Sequence, residues 1–157
     1  PDLTFGWQNN FTWKNWDFSF FFRGTIGNKV LNNPRAAYAN NTYLIGTNAL
    51  DDELTYTMKE SSRVCSYYLE NGSFIRLDNL ALGYTFDTKK INWLDKARLY
   101  FAAQNLFVIT GYKGLDPEVE LFRGESSDTD AGLSPGIEPR QFFPKARTFT
   151  LGVNLTF

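Results

Sequence analysis

The chain has 157 residues, with 16 Lys and Arg against 17 Asp and Glu, and its net charge of −1 gives no footing for nucleic acid. It has no histidine, and its single cysteine, Cys65, excludes an internal disulfide and leaves the redox compartment open. Aromatic residues make up 17% of the chain, more than a soluble core needs, yet no apolar run approaches the roughly 18 residues of a membrane helix. A mean hydropathy of −0.34 leaves room for a membrane barrel, because alternating strands average to a mild value.

The chain opens on Pro1-Asp2-Leu3, already within a pattern, and reads as a piece of something longer. Leu3, Phe5, Trp7, Phe11 and Trp13 share one parity, and Thr4, Gly6, Gln8, Asn10 and Thr12 the other. After Lys14-Asn15 the apolar set moves to even positions: Trp16, Phe18, Phe20 and Phe22. A two-residue turn puts the residues on either side of it on the same face, so this change of parity predicts a tight hairpin. The polar side of its second strand carries Asp17, Ser19 and Arg23, interrupted by Phe21.

From Gly27 to about Ser73 the periodicity dissolves into Asn, Gly, Pro and acidic residues, which predicts a long structureless connection. A third strand follows Asn71-Gly72, with Leu80, Leu82, Tyr84 and Phe86 opposite Asn79, Ala81, Gly83 and Thr85. Upstream the faces are mixed: Arg76 and Asp78 fall on the apolar parity, as if the strand there were leaving the membrane. Asp87 to Lys96 is a short connection, and a fourth strand runs from Ala97 to about Ile109. A second long polar loop spans Gly111 to Pro144. The last run, Arg147 to Phe157, alternates without a slip and ends on an aromatic.

Short and long connections therefore alternate, as the turns and loops of an outer-membrane barrel do. Both short connections fall on the side where the chain ends, which makes that side periplasmic. Trp13, Trp16, Tyr84, Phe86, Trp93 and Phe157 gather there as one interfacial belt would. Five antiparallel strands are too few to close a barrel, and an open sheet in lipid leaves two edges of unsatisfied backbone. The expected fold is all-β, the C-terminal five strands of a larger transmembrane barrel, with residues 1–157 as a single barrel segment.

The stretch Asn71-Gly72-Ser73-Phe74-Ile75-Arg76-Leu77-Asp78-Asn79-Leu80-Ala81-Leu82-Gly83-Tyr84-Thr85-Phe86 resembles a strand of the SusC/RagA-type TonB-dependent outer-membrane transporters, with Asn71 where that family often has Asp. Gln104-Asn105-Leu106-Phe107, then Gly114-Leu115-Asp116-Pro117-Glu118-Val119, then Pro144 through Phe157 resemble further family stretches in the same order. The resemblance implies a barrel of about 22 strands filled by the protein's own plug domain. It also implies a SusD-like surface lipoprotein as a lid and TonB as the source of energy. The outcome would be uptake of an oligosaccharide or peptide across the outer membrane of a Gram-negative, Bacteroidota-type bacterium. No catalysis and no cofactor are expected. The alternatives from other classes are a soluble β-sandwich carbohydrate-binding module and an outer-membrane barrel enzyme with its active site elsewhere.

The last strand also resembles the signal read by the outer-membrane assembly machinery, a spaced polar residue, glycine, apolar residue and terminal aromatic. Thr150, Gly152, Leu155 and Phe157 fit it in order. The plainer reading is that any last strand alternates and Gly152 relieves crowding. Asp17, Arg23, Arg98, Tyr100 and Gln104 are expected to face the lumen, either along the solute path or against the plug. Asp116, Glu118, Glu120, Asp128 and Asp130 could offer oxygen ligands to Ca²⁺, but loop carboxylates are more often only solvated, and no metal is assigned. A glycosidase reading of those carboxylates lacks an apparent cleft. Tyr38, Tyr43, Tyr56, Tyr67, Tyr68 and Tyr112 sit in or beside loops, where rings could stack on sugars or pack on a lid.

Overall fold

The computed structural model describes residues 1–39, 46, 48, 50–52, 66–88, 93–119, 136–140 and 143–157. Its chain divides into two compact units, a strand unit and a loop unit.

The strand unit is a five-stranded sheet of β1 (Leu3–Trp13), β2 (Trp16–Ile26), β5 (Phe74–Phe86), β6 (Lys96–Thr110) and β7 (Thr148–Thr156), in the spatial order β1-β2-β5-β6-β7. Neighbours in the sheet are neighbours in chain order, as in an up-and-down barrel wall. The hairpin turns at Lys14, which takes a left-handed φ of 54°. Stacked ring pairs Phe11–Phe18 (6.2 Å) and Trp7–Phe22 (6.0 Å) join β1 to β2 on one face. Asn15 holds the turn to β5: its carbonyl accepts from the Thr85 N–H and its side chain donates to the Thr85 carbonyl, both at 2.8 Å.

The mixed parity upstream in the third strand has a local cause. Phe21 pairs with Asn79 but Phe22 pairs with Leu77, so Asp78 is the extra residue of a β-bulge. Beyond it the apolar side resumes one position out of step, with Leu77 opposite Phe22 and Ile75 opposite Gly24. The mixed parity at Arg76 and Asp78 is thus a shift of one residue, and the strand continues through it to Phe74.

The β6–β7 ladder runs without interruption from Lys96↔Thr156 to Gln104↔Thr148. The short connection before β6 is closed by Thr88, whose hydroxyl donates to the Asp95 carbonyl at 2.6 Å, and by the Asp95 N–H on the Thr156 carbonyl at 2.8 Å. The apolar side of β7 is bare: Leu151 is 73% exposed, and Phe149 and Val153 are 60% exposed. With that face uncovered and both sheet edges open, the isolated 157-residue chain is expected not to fold in plain buffer. A monodisperse product with a cooperative melt would contradict this.

The loop unit is more structured than the loss of periodicity suggested. Strands β3 (Lys29–Leu31) and β4 (Leu69–Asn71) pair antiparallel, and Leu31 also bridges Ile137 in parallel. Between them come helix α1 (Asn33–Tyr38) and a 3-10 turn at Ser66–Tyr68. The helix starts because the Asn32 side chain accepts from the Arg35 N–H at 2.9 Å and Pro34 presets the first turn. It is too short for its 3.6-residue period to show. Ala36, Ala39 and Tyr68 form its small core, with Leu31 packed beside them.

Candidate functional site

The polar side of the sheet carries a connected row of side chains. Arg98 grips Asp17 with two bonds, Nε to Oδ1 at 3.0 Å and a terminal nitrogen to Oδ2 at 2.5 Å. The pair reaches across β5 at Gly83, the register partner of Asp17. A Cβ there would lie 2.4 Å from the Arg98 guanidinium and 2.5 Å from the Asp17 carboxyl, so glycine opens the passage. The guanidinium also sits 5.4 Å from the Tyr100 ring centre. That ring in turn lies over its register partner Gly152, where a Cβ would come within 2.4 Å of the phenol oxygen. An aromatic ring over a strand glycine restores packing that the missing side chain leaves out.

Arg23 pairs with Asp78 at 3.1 Å, using the bulge residue as its partner. Gln104 is exposed opposite Thr148. Phe21, the apolar exception on this side, lies against Gly6, where a Cβ would sit 3.2 Å from its ring. The Asp17 and Arg98 side chains are 39% and 30% exposed, so the pair is worth about 0–1 kcal/mol to the fold. Its consequence is positional: it fixes charges on a face that is otherwise small and polar. Of the five residues expected along the lumen, the structure brings Asp17, Arg98 and Tyr100 together and leaves Arg23 and Gln104 apart from them.

Asn105, which the sequence pattern did not mark as a site residue, organises the approach to β7. Asn105 takes a left-handed φ of 51°, which turns its side chain out of step with the strand. Its oxygen accepts from Arg76, which is 1% exposed, and its nitrogen donates to the Lys145 carbonyl at 2.6 Å. An asparagine tolerates that φ better than most residues, and this was the available signal.

The other end of the sheet is aromatic. Trp16 and Tyr84 pack at 4.7 Å, Tyr84 and Phe86 at 4.9 Å, and Trp93 stacks on Phe157 at 5.7 Å. Trp13 stands at the hairpin turn with the Lys14 ammonium 5.1 Å from its ring. Thr150 and Leu155 stand opposite Ala102 and Ala97 in the same ladder as Gly152.

In the loop unit, Arg35 donates to Asp52 at 2.7 Å and to Glu70 at 3.0 Å. The hydrogen bond to Asp52 is the main reason its guanidinium holds its proton even more tightly than usual. Glu70 also accepts from the Lys113 N–H at 2.9 Å, joining β4 to the second long loop. Glu138 is fully buried; its carboxyl accepts from the Tyr112 hydroxyl at 2.5 Å and the Leu115 N–H at 3.0 Å. Burial first, and then that bond to Glu138, raises the Tyr112 phenol well above its ordinary range.

Tyr68 and Tyr112 are thus structural, not free rings for stacking, while Tyr38 and Tyr67 are exposed; Tyr43 and Tyr56 lie outside the described residues. Asp116 is buried and accepts from the Glu118 N–H at 2.9 Å, as a turn carboxyl does. Glu120, Asp128 and Asp130 lie outside the described residues, among which no three candidate ligands gather for a metal. Beside the Arg35 and Glu138 networks opens a cleft of about 410 Å³, lined by α1, residues 50–52 and 113–115, Glu138 and Arg140. Nothing in the sequence pattern indicated it, because its walls come from segments far apart in the chain.

No family model matches the chain. It is 34% identical, over its whole length, to TonB-dependent receptor P3 of Formosa agariphila. It is 31% identical, over 99% of its length, to TonB-dependent receptor SusC of Bacteroides thetaiotaomicron. The chain spans only 16% and 15% of those two relatives. Among solved structures, the RagAB peptide importer in its closed-closed state contains a chain matched at a TM-score of 0.74 and 25% identity, over 98% of this chain and 17% of that one.

Proposed function

We propose that the chain belongs to the TonB-dependent receptors of the SusC/RagA type, which it resembles over its whole length, and that it is the C-terminal wall segment of a plugged outer-membrane barrel that imports a nutrient. The observation that carries this reading is the whole-chain match to such receptors by a sheet whose strands are laid side by side in chain order. In this reading the five strands are part of a closed barrel of about 22, filled by the protein's own plug domain. TonB supplies the energy, a SusD-like lipoprotein covers the outside, and the cargo is an oligosaccharide or a peptide. The segment performs no chemistry.

The aromatic side of the sheet faces outer-membrane lipid, and the side with Asp17, Arg23, Arg98, Tyr100 and Gln104 faces the lumen. The end with Trp13, Trp16, Tyr84, Phe86, Trp93 and Phe157 is periplasmic, and the two long loops are extracellular. Thr150, Gly152, Leu155 and Phe157 are read during assembly, though Gly152 already has a packing reason in the Tyr100 ring above it.

Topology and transport are tested on the full-length receptor in cells, with Cys65 replaced by alanine. A cysteine at Tyr67, which is 58% exposed, is expected to react with an impermeant thiol reagent, whereas one at Asn15 is not. Equal labelling at both positions would overturn the orientation. Deletion of the receptor, or of TonB, is expected to abolish growth on the imported nutrient; normal growth on every oligosaccharide and peptide source offered would overturn the transport reading.

A further inference from the structure

A cation stands on the apolar side of the run into β7. Arg147 keeps the parity of Phe149, Leu151, Val153 and Leu155, and it is exposed. Its place is set from two directions. Thr148, the next residue, pairs with Gln104 in the ladder. Just before it, the Asn105 amide donates to the Lys145 carbonyl at 2.6 Å and to the Ala146 carbonyl at 3.3 Å. The backbone that bears the guanidinium is therefore pinned to β6, while the guanidinium makes no ion pair or side-chain hydrogen bond among the described residues. The carboxylates of the strand unit do not answer it. Asp17 and Asp78 are held by Arg98 and Arg23, and Asp87 and Asp95 lie at the other end of the sheet, where Asp95 meets Thr156. The surface beside it is apolar: Phe149 stacks on Phe101 at 6.2 Å, and higher on β6 Phe107 packs on Phe22 at 6.2 Å.

Its height matters as much as its exposure. Arg147 stands ten residues before Phe157. At about 3.4 Å per residue that is roughly 34 Å of strand, or about 24–28 Å along the membrane normal at a barrel tilt of about 35–45°. The apolar band of such barrels is about 25 Å tall, so with Phe157 in one interface Arg147 reaches the other. A lipid-facing cation at that depth meets headgroups, and its aliphatic stem can lie along apolar neighbours. We propose that Arg147 binds the phosphate of an anionic lipid in the outer leaflet. Its planar guanidinium matches two phosphate oxygens with paired N–H donors, and such charge-assisted bonds are the strong ones. The acyl chains then run down the stripe of Leu151, Val153 and Leu155. The proposal goes beyond the transport reading and rests on its orientation, which places this end of the sheet outward.

The test is native mass spectrometry of the purified full-length receptor in detergent, titrated with phosphatidylglycerol or with phosphatidylcholine, whose choline cancels the phosphate charge. The unaltered receptor is expected to retain one phosphatidylglycerol more than Arg147→Gln does, that lipid being held about tenfold more weakly in the variant, the range of a hydrogen bond to a charged group. Phosphatidylcholine counts should match in the two proteins. Arg147→Lys keeps the charge without the paired donors and should fall between them. Arg98→Gln removes the same charge from the polar side of the sheet and should keep the lipid. Only molecules that run as the folded band on an unheated gel are compared, so an assembly defect cannot imitate a lost site. An unchanged phosphatidylglycerol count in Arg147→Gln would overturn the proposal, even with a lower melting temperature, and would assign the guanidinium to a neighbouring strand of the barrel. Equal loss in Arg98→Gln would overturn it by reducing the effect to net charge. Loss confined to the Arg147 variants, together with thiol labelling at Asn15 in place of Tyr67, would confirm the phosphate contact and count against the orientation alone.

Discussion

Replacing Gly24 by alanine is expected to be among the most damaging single changes in the strand unit. Gly24 sits buried near the end of β2, opposite Ile75. A Cβ there would lie 2.4 Å from the Phe74 carbonyl oxygen and 2.8 Å from the Phe5 ring. The ring could turn away, but the carbonyl belongs to the β5 backbone and moves only if the ladder moves with it. Overpacking of this kind costs about 1–3 kcal/mol, and the backbone obstacle places Gly24→Ala at the upper end or beyond. Gly111→Ala is the internal control, because nothing lies within 4 Å of the added carbon. In the full-length receptor, Gly24→Ala should lower the temperature at which the folded band on an unheated gel is lost. Gly111→Ala should melt as the unaltered protein does. Equal melting of the two variants would show that β2 and β5 do not approach as closely here as the structure has them.

The contrast between those glycines also marks what the sequence could reveal. The strands were legible because they alternate, and the hairpin because Lys14-Asn15 reverses the parity of Trp13 and Trp16. The row from Asp17 to Tyr100 was legible as a polar face but not as a network. Its continuity depends on Gly83 and Gly152, and a mid-strand glycine does not say which side chain will lie over it. The bulge at Asp78 was visible only as disorder in the pattern, since a one-residue insertion and a strand end look alike in one dimension. In the loop unit the sequence was nearly silent. Arg35, Glu70 and Glu138 owe their burial to partners between 17 and 43 residues away in the chain, at Asp52, Lys113 and Tyr112, and no short-range periodicity records such pairings.

Glu138 is where the second large effect is expected. Its backbone N–H donates to the Leu31 carbonyl at 3.0 Å, so residues 136–138 are laid beside β3 while the carboxyl reaches over to Tyr112 and Leu115. Gly114 leaves the room: a Cβ there would lie 2.2 Å from the carboxyl oxygen. Glu138→Ala removes the acceptor from a buried hydroxyl and from a backbone N–H, at roughly 1–3 kcal/mol for each orphaned group. Glu138→Gln should cost less, because its amide oxygen can still accept from Leu115 and the Tyr112 hydroxyl can turn to accept from the amide nitrogen. Hydrogen exchange of the full-length receptor should then accelerate over 111–119, 136–140 and 29–31, more in the alanine variant than in the glutamine variant. Exchange in the sheet strands should stay as it was. The same bond sets a dependence on pH. The phenol is the donor, and its folded pKa is raised above the ordinary value of 10.0 by burial and then by the Glu138 bond. A raised pKa favours the protonated folded state, so this contribution is fully present below pH 10.0 and is lost as the pH climbs above it. Proteolysis of the loops should therefore quicken above that pH, while Tyr112→Phe, which has no phenol to ionise, should be cut more readily at neutral pH and show no such rise. Unchanged exchange in Glu138→Ala, or the same alkaline rise in Tyr112→Phe, would remove the Tyr112–Glu138 bond from the forces that hold the loop unit together.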